Sequence, residues 1–164
     1  MYLTERTTVT ISDAAPHNWP PRTPVLTGQS TDTTGLLGTE SALSFSIGPE
    51  VSPIEAMEQV GTMTAMTLPR FLTGAPNAAE VCAAAQAVLT ELVDVTARHR
   101  VSAHLVGRVA YDGAHVTVSV GDMGRPLPAP EEEPGLYLVH RVADEFGQYA
   151  GDLGGRVTWA AVAA

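Results

Sequence analysis

Lysine is absent from the chain. All nine basic residues are arginine, against 18 Asp and Glu, leaving a formal net charge of −9 over 164 residues. Backbone-phosphate binding draws on clustered Lys and Arg, and no such cluster exists, so nucleic acid is not an expected partner. The same deficit argues against an anionic membrane surface. There is no apolar run of the ~20 residues that a membrane-spanning helix needs. Met1 to Pro21 lacks a basic start followed by an apolar stretch, so no secretory signal is expected there. Cysteine is scarce too: Cys82 stands alone in an Ala-rich stretch and reads as a small buried apolar residue. These absences together predict a cytoplasmic protein. Aromatic residues are only 5% and charged residues 16%, whereas hydrophobic residues reach 45%. A core is affordable, but Ala, Val, Leu and Met must build it.

What is present divides the chain in two. Residues 1–42 are rich in Thr, Pro, Ser, Gly and Asp. Thr7 to Ile11 reads as a short strand, with Val9 and Ile11 on one side, and Pro16, Pro20, Pro21 and Pro24 break any longer pattern. This stretch is expected to be a flexible or loosely packed arm. Residues 43–164 carry regular patterning. Leu43 to Ile47 alternates as a strand does. Ser52-Pro53-Ile54-Glu55 has the form of a capping box with proline at the first helical position, predicting a helix to about Leu68 with Ile54, Met57, Val60 or Gly61, Met63 or Thr64, and Leu68 on one face. Asn77 is placed to cap a second helix from Ala78 to about His99, with Val81, Ala84, Ala85, Val88, Leu89 and Leu92 as its apolar stripe. His104 to Tyr111 and Val116 to Val120 read as strands joined by the hairpin signal Asp112-Gly113. After a Gly- and Pro-rich loop, a third helix is expected from Gly135 to about Phe146. Gly151 to Gly155 then turns the chain into a last strand, Arg156 to Val162. The expected fold is α/β: a two-layer sandwich whose mixed, mostly antiparallel sheet is covered on one face by three helices.

Three segments carry the candidate chemistry. They are Glu91-Leu-Val-Asp-Val-Thr-Ala-Arg-His99 late in the second helix, Val120-Gly-Asp-Met-Gly-Arg-Pro126 at the end of the hairpin, and Pro134-Gly-Leu-Tyr-Leu-Val-His-Arg-Val-Ala-Asp144. In this order and spacing, closed by Gly155-Arg-Val-Thr-Trp159, they resemble the GHKL (Bergerat-type) ATP-binding modules of bacterial anti-sigma-factor serine kinases. The resemblance covers most of the chain after Ala42. It implies an ATP site in which Asp122 accepts a hydrogen bond from the adenine amino group, Gly124 lets backbone approach the base, and Gly135 and Leu136 open a helix whose amides receive phosphate. Arg125 would reach a phosphate, and Glu91 would be the general base for a partner's serine hydroxyl. Each residue also has a plainer reading: Asp122 and Gly124 as an ordinary loop pair, Arg125 as a solvated side chain, Glu91 as a partner of Arg98.

The pattern breaks in two places. The family's Mg²⁺-binding Asn falls at Val95, four residues after Glu91 and so on the same helix face. An aliphatic side chain offers no oxygen to a hard cation. Asp94 lies about 100° round the helix. The family's first glycine before the third helix is replaced by Glu133, within the run Glu131-Glu-Glu133, which reads as a solvated acidic face. No metal site is read from the remaining residues, since His99 and His104 fall on different elements. The expectation is a regulatory, pseudokinase-like signalling protein that binds ATP weakly and without Mg²⁺, and whose partner is a sigma factor or an anti-anti-sigma-like protein. An active Mg²⁺-dependent serine/threonine kinase and a pure interaction module with an empty pocket are the alternatives, and a homodimer is compatible with either.

Overall fold

Local signals set the helix boundaries in the computed structural model, which describes residues 7–8, 41–151 and 154–164. Helix α1 spans Pro53–Phe71. The Ser52 hydroxyl accepts from the Glu55 amide, and the Glu55 carboxylate accepts from the Ser52 amide, both at 3.2 Å. Both halves of the expected capping box are therefore formed. The helix does not stop before Pro69 but runs on to Phe71, because a proline in the last turn removes one backbone hydrogen bond and leaves the rest intact. Its buried stripe is Ala56, Val60, Met63, Thr64 and Leu68. Ile54, expected on that stripe, is 67% exposed, since it lies about 200° round the helix from Ala56.

Helix α2 spans Ala78–Arg98, with Asn77 in the cap position but making no side-chain cap bond. Val81, Ala85, Val88, Leu89 and Leu92 are buried as the spacing predicts. Towards its end Val93, Val95 and Thr96 are buried as well. The cause is position: α2 packs against α1 on one side, β4 (His115–Met123) and β6 (Arg156–Ala163) on another, and α3 (Leu136–Val142) on a third. A helix packed on three sides buries more than a single stripe, and its polar face narrows to residues such as Glu91, Asp94 and Arg98.

The remaining strands are β1 (Thr7–Thr8), β2 (Ser41–Ile47), β3 (Leu105–Tyr111) and β5 (Glu145–Ala150), and the sheet runs β1-β2-β3-β4-β6-β5. Thr7 and Thr8 pair with Phe45 and Ser44; Val9 and Ile11, assigned to the same strand from sequence, lie outside the described residues, as does most of the arm. The β3–β4 hairpin turns at Asp112-Gly113 as expected. Gly113 adopts φ +95°, and the Asp112 carboxylate accepts from the amides of Ala114 and His115, each at 2.8 Å. Leu43, Phe45 and Ile47 of β2, Val109 of β3, and Val116, Val118 and Val120 of β4 belong to the core that the helices cover.

Two expectations need correction. The third helix ends at Val142, not near Phe146, and residues 145–150 form β5. The sheet is not mixed: every pairing among the described strands is antiparallel. The second follows from the first. The crossover from β4 through α3 delivers β5 parallel to β4 but one place away. Strand β6 returns from β5 and inserts between them, antiparallel to both.

Candidate functional site

The three segments singled out in the sequence converge at one end of the domain, where α2 and β4 finish and α3 begins. The amide of Gly124 donates to the carbonyl of His99 at 2.9 Å, and the amide of Val101 donates to the carbonyl of Asp122 at 3.2 Å. These bonds tie the end of β4 to the end of α2. On the other side, the backbone of Gly135 lies directly on the carboxylate of Glu91. A Cβ at position 135 would overlap Glu91 Oε1. The glycine lets the backbone approach a side chain of the protein itself, and a larger residue would push the Glu91 carboxylate aside.

Around Glu91 the charges form a network. Arg98 donates to both oxygens of Asp94, at 3.2 and 2.8 Å, and to both oxygens of Glu133, at 3.0 and 2.6 Å. His99 Nε2 stands 3.3 Å from Glu133 Oε2. Arg98 therefore pairs with Asp94 and Glu133, and no bond to Glu91 forms among its hydrogen bonds. Glu133 is not part of a solvated acidic face: its side chain is 17% exposed, against 61% for Glu132, which pairs with Arg125 at 3.2 Å. Arg125 is thus engaged with the acidic run itself.

Burial pushes the Glu91 carboxyl above the ordinary carboxylate range; the charge of Asp94 adds to this and that of Arg98 opposes it. Glu133 moves the other way. Its hydrogen bonds to Arg98 hold the carboxyl down to about 2, from an ordinary value of 4.5, with His99 assisting. A carboxyl whose folded value is depressed adds stability that is present above the unfolded value and lost as the pH falls through the folded one. Glu133 thus contributes in full above pH 4.5 and loses its contribution between 4.5 and about 2. Glu133→Gln will therefore lower stability near neutral pH, and the gap from the unmodified protein will narrow as the pH is taken below 4.5. Chemical denaturation of both proteins across that range reads the gap; a gap independent of pH would contradict the assignment.

Asp122 sits apart from this network. It is 3% exposed, and its side chain packs against Gly151 and Gly155, where a Cβ at either position would crowd the carboxyl group. Gly151 and Gly155, joined by the Gly151 amide donating to the Gly155 carbonyl at 2.8 Å, lie directly against Asp122. Beside it, Met123 is fully buried, and its sulfur lies 3.4 Å from Thr158 Oγ1 and 3.5 Å from Gln148 Nε2. Gln148 Oε1 in turn accepts from the amide of Leu127 at 3.1 Å, anchoring the loop before α3 to β5. Thr158 lies in the closing Gly155–Trp159 segment, whereas Gln148 had no sequence signal, and β5 had to be seen before it could be placed. Gly124 is exposed, and a Cβ there would strike Val101, so its small size serves the contact with the α2–β3 loop.

At two positions the residues do not match the expected Mg²⁺ and phosphate contacts. Val95 is 2% exposed and part of the core cluster. The amides at the start of α3 are already satisfied: Leu136, Tyr137 and Leu138 donate to the carbonyls of Glu133, Pro134 and Gly135 at 2.8, 3.0 and 3.1 Å. The helix has only seven residues, and its first turn is consumed by these tight internal bonds. Leu136, expected beside the nucleotide, is 1% exposed and belongs to the core. No described helix is long and apolar enough to cross a membrane. Compared with known proteins, the chain matches no family model and no curated protein.

Proposed function

We propose that this is a regulatory protein on a GHKL-type, anti-sigma-kinase-like frame that acts by protein–protein contact and transfers no phosphate. The observation that carries this reading is the burial of Val95, at 2% exposure, on the turn of α2 that follows Glu91. Phosphoryl transfer depends almost wholly on positioning and charge neutralisation by metal and cations. A helix face that offers an aliphatic group in place of an oxygen ligand cannot hold the metal, so a base at Glu91 has nothing to act on. The closed α3 start and the buried Asp122 support the same conclusion. Any nucleotide would bind weakly and without help from Mg²⁺. The partner class is a sigma factor or an anti-anti-sigma-like protein. Helix α1 is the natural contact element, since its Ile54 and Met66 stand 67% and 65% exposed. A homodimer is compatible with this arrangement.

Calorimetric titration of the full chain with ATP, with and without Mg²⁺, tests the reading. We expect weak heats that Mg²⁺ does not strengthen, and no transfer to a serine-containing partner. Tight, Mg²⁺-dependent binding would instead establish the active kinase. Complete absence of heat, with partner binding retained, would leave a pure interaction module.

A further inference from the structure

We propose that the Arg98–Glu133 pair is a latch that holds the segment Glu133–Gly135 down on α2, over Glu91. The segment is fixed at two points one above the other on that helix. Residues 91 and 98 are seven apart, so they share a face about 10 Å long. At the lower point the Gly135 backbone lies on the Glu91 carboxylate. At the upper point both guanidinium nitrogens of the Arg98 fork reach Glu133, at 3.0 and 2.6 Å, with His99 at 3.3 Å on the same carboxylate. Asp94 grips Arg98 from the turn below at 2.8 Å, so the guanidinium is oriented before it meets Glu133. Bidentate, pre-oriented pairs of this kind are the strong members of their class.

The chemistry of the upper point is that of an anion site already filled. A guanidinium and an imidazole converge on two carboxylate oxygens supplied by the loop. If the reading of the preceding section holds, and this end of the domain descends from a nucleotide site, a phosphate-bearing ligand must displace Glu133 to reach Arg98, His99 and Glu91. That part of the inference rests on the proposed function; the latch itself rests only on the contacts.

Hydrogen exchange and ligand binding separate the two. In the full chain, Glu133→Ala is expected to speed amide exchange at residues 133 and 135–138 about fivefold to tenfold, the scale on which a local segment opens when a strong polar tether is removed. Exchange within the β3–β4 hairpin should stay unchanged, which shows that the fold is intact. High salt should speed exchange of the same segment in the unmodified protein, by screening the pair. Unchanged exchange in Glu133→Ala would overturn the latch. The same variant is then titrated with inorganic tripolyphosphate and with ATP. Faster exchange with affinity raised about tenfold supports both the latch and the nucleotide ancestry of the site. Faster exchange with no gain in affinity supports the latch and removes the nucleotide reading.

Discussion

Gly107→Ala will destabilise the domain by ~3 kcal/mol, the upper part of the range for overpacking a well-filled core. A change of that size lowers the melting temperature of a domain this long by roughly 10 °C. The cause is a single cross-strand pair. Gly107 of β3 stands opposite Phe45 of β2, and the ring of Phe45 lies across the space where a side chain at 107 would project, so a Cβ would overlap three of its atoms. Phe45 is 3% exposed and belongs to the core cluster, so displacing its ring disturbs neighbouring core side chains. In an unobstructed strand the same substitution would be mildly favourable, because glycine loses more backbone freedom on folding than alanine does. The clash should therefore disappear when the ring is removed. Phe45→Leu alone will cost stability through lost burial, but Phe45→Leu combined with Gly107→Ala will be more stable than the sum of the two single changes, by ~1–2 kcal/mol. Denaturant unfolding of the four proteins measures that coupling. Strict additivity would mean that Gly107 is not held open by the ring.

How far the sequence reveals this structure depends on the distance over which each signal acts. The Ser52–Glu55 capping box and the Asp112-Gly113 turn close within three residues, so local chemistry alone decides them. The alternation in β2 and β4 was also readable, because one face of each is buried under helices. Strand β5 was not. Val139, Val142, Ala143 and Phe146 repeat at helical spacing, and the periodic pattern extends the third helix through a segment that the sheet claims. Pairing with β6 outweighs it: Gly147 stands beside Trp159 and Phe146 beside Ala160, contacts that no local window contains. The charge network behaved in the same way. Asp94 and Arg98 are four apart and could have been paired on spacing alone, whereas Glu133 is 35 residues from Arg98. From sequence it was one of three adjacent carboxylates. The fold separates it from Glu131 and Glu132 by bringing it over the end of α2.

The Val95 position yields the other large effect and bears directly on function. Val95→Asn puts an amide with two donors and one acceptor into a site that is 2% exposed and lined by the core. The hydroxyl of Thr96, its neighbour, is buried and makes no hydrogen bond, so this part of α2 already holds one polar group that its surroundings do not satisfy. An unpaired buried amide costs ~1–3 kcal/mol, and loss of the valine's apolar contacts adds ~1 kcal/mol, giving ~2–4 kcal/mol in all. Val95→Thr separates the two contributions, since it keeps the shape and adds only a hydroxyl; it should lose less than the Asn variant. The functional question is what Mg²⁺ and ATP then do. A ligand that binds only the folded state stabilises it by ~2.7 kcal/mol at a hundred times its dissociation constant, enough to offset most of the damage. If Val95 merely plugged an otherwise working metal site, Mg²⁺ with ATP would raise the melting temperature of the Asn variant, and that of the Thr variant too, since its hydroxyl is also an oxygen ligand. The packing described here leads to the opposite expectation: neither variant is rescued, because residue 95 faces hydrophobic core, the α3 amides are already spent on the carbonyls of residues 133–135, and Gly135 closes over Glu91. A Mg²⁺-dependent rise in the melting temperature of Val95→Asn that the unmodified protein does not show would mean that the metal site is intact but for one side chain.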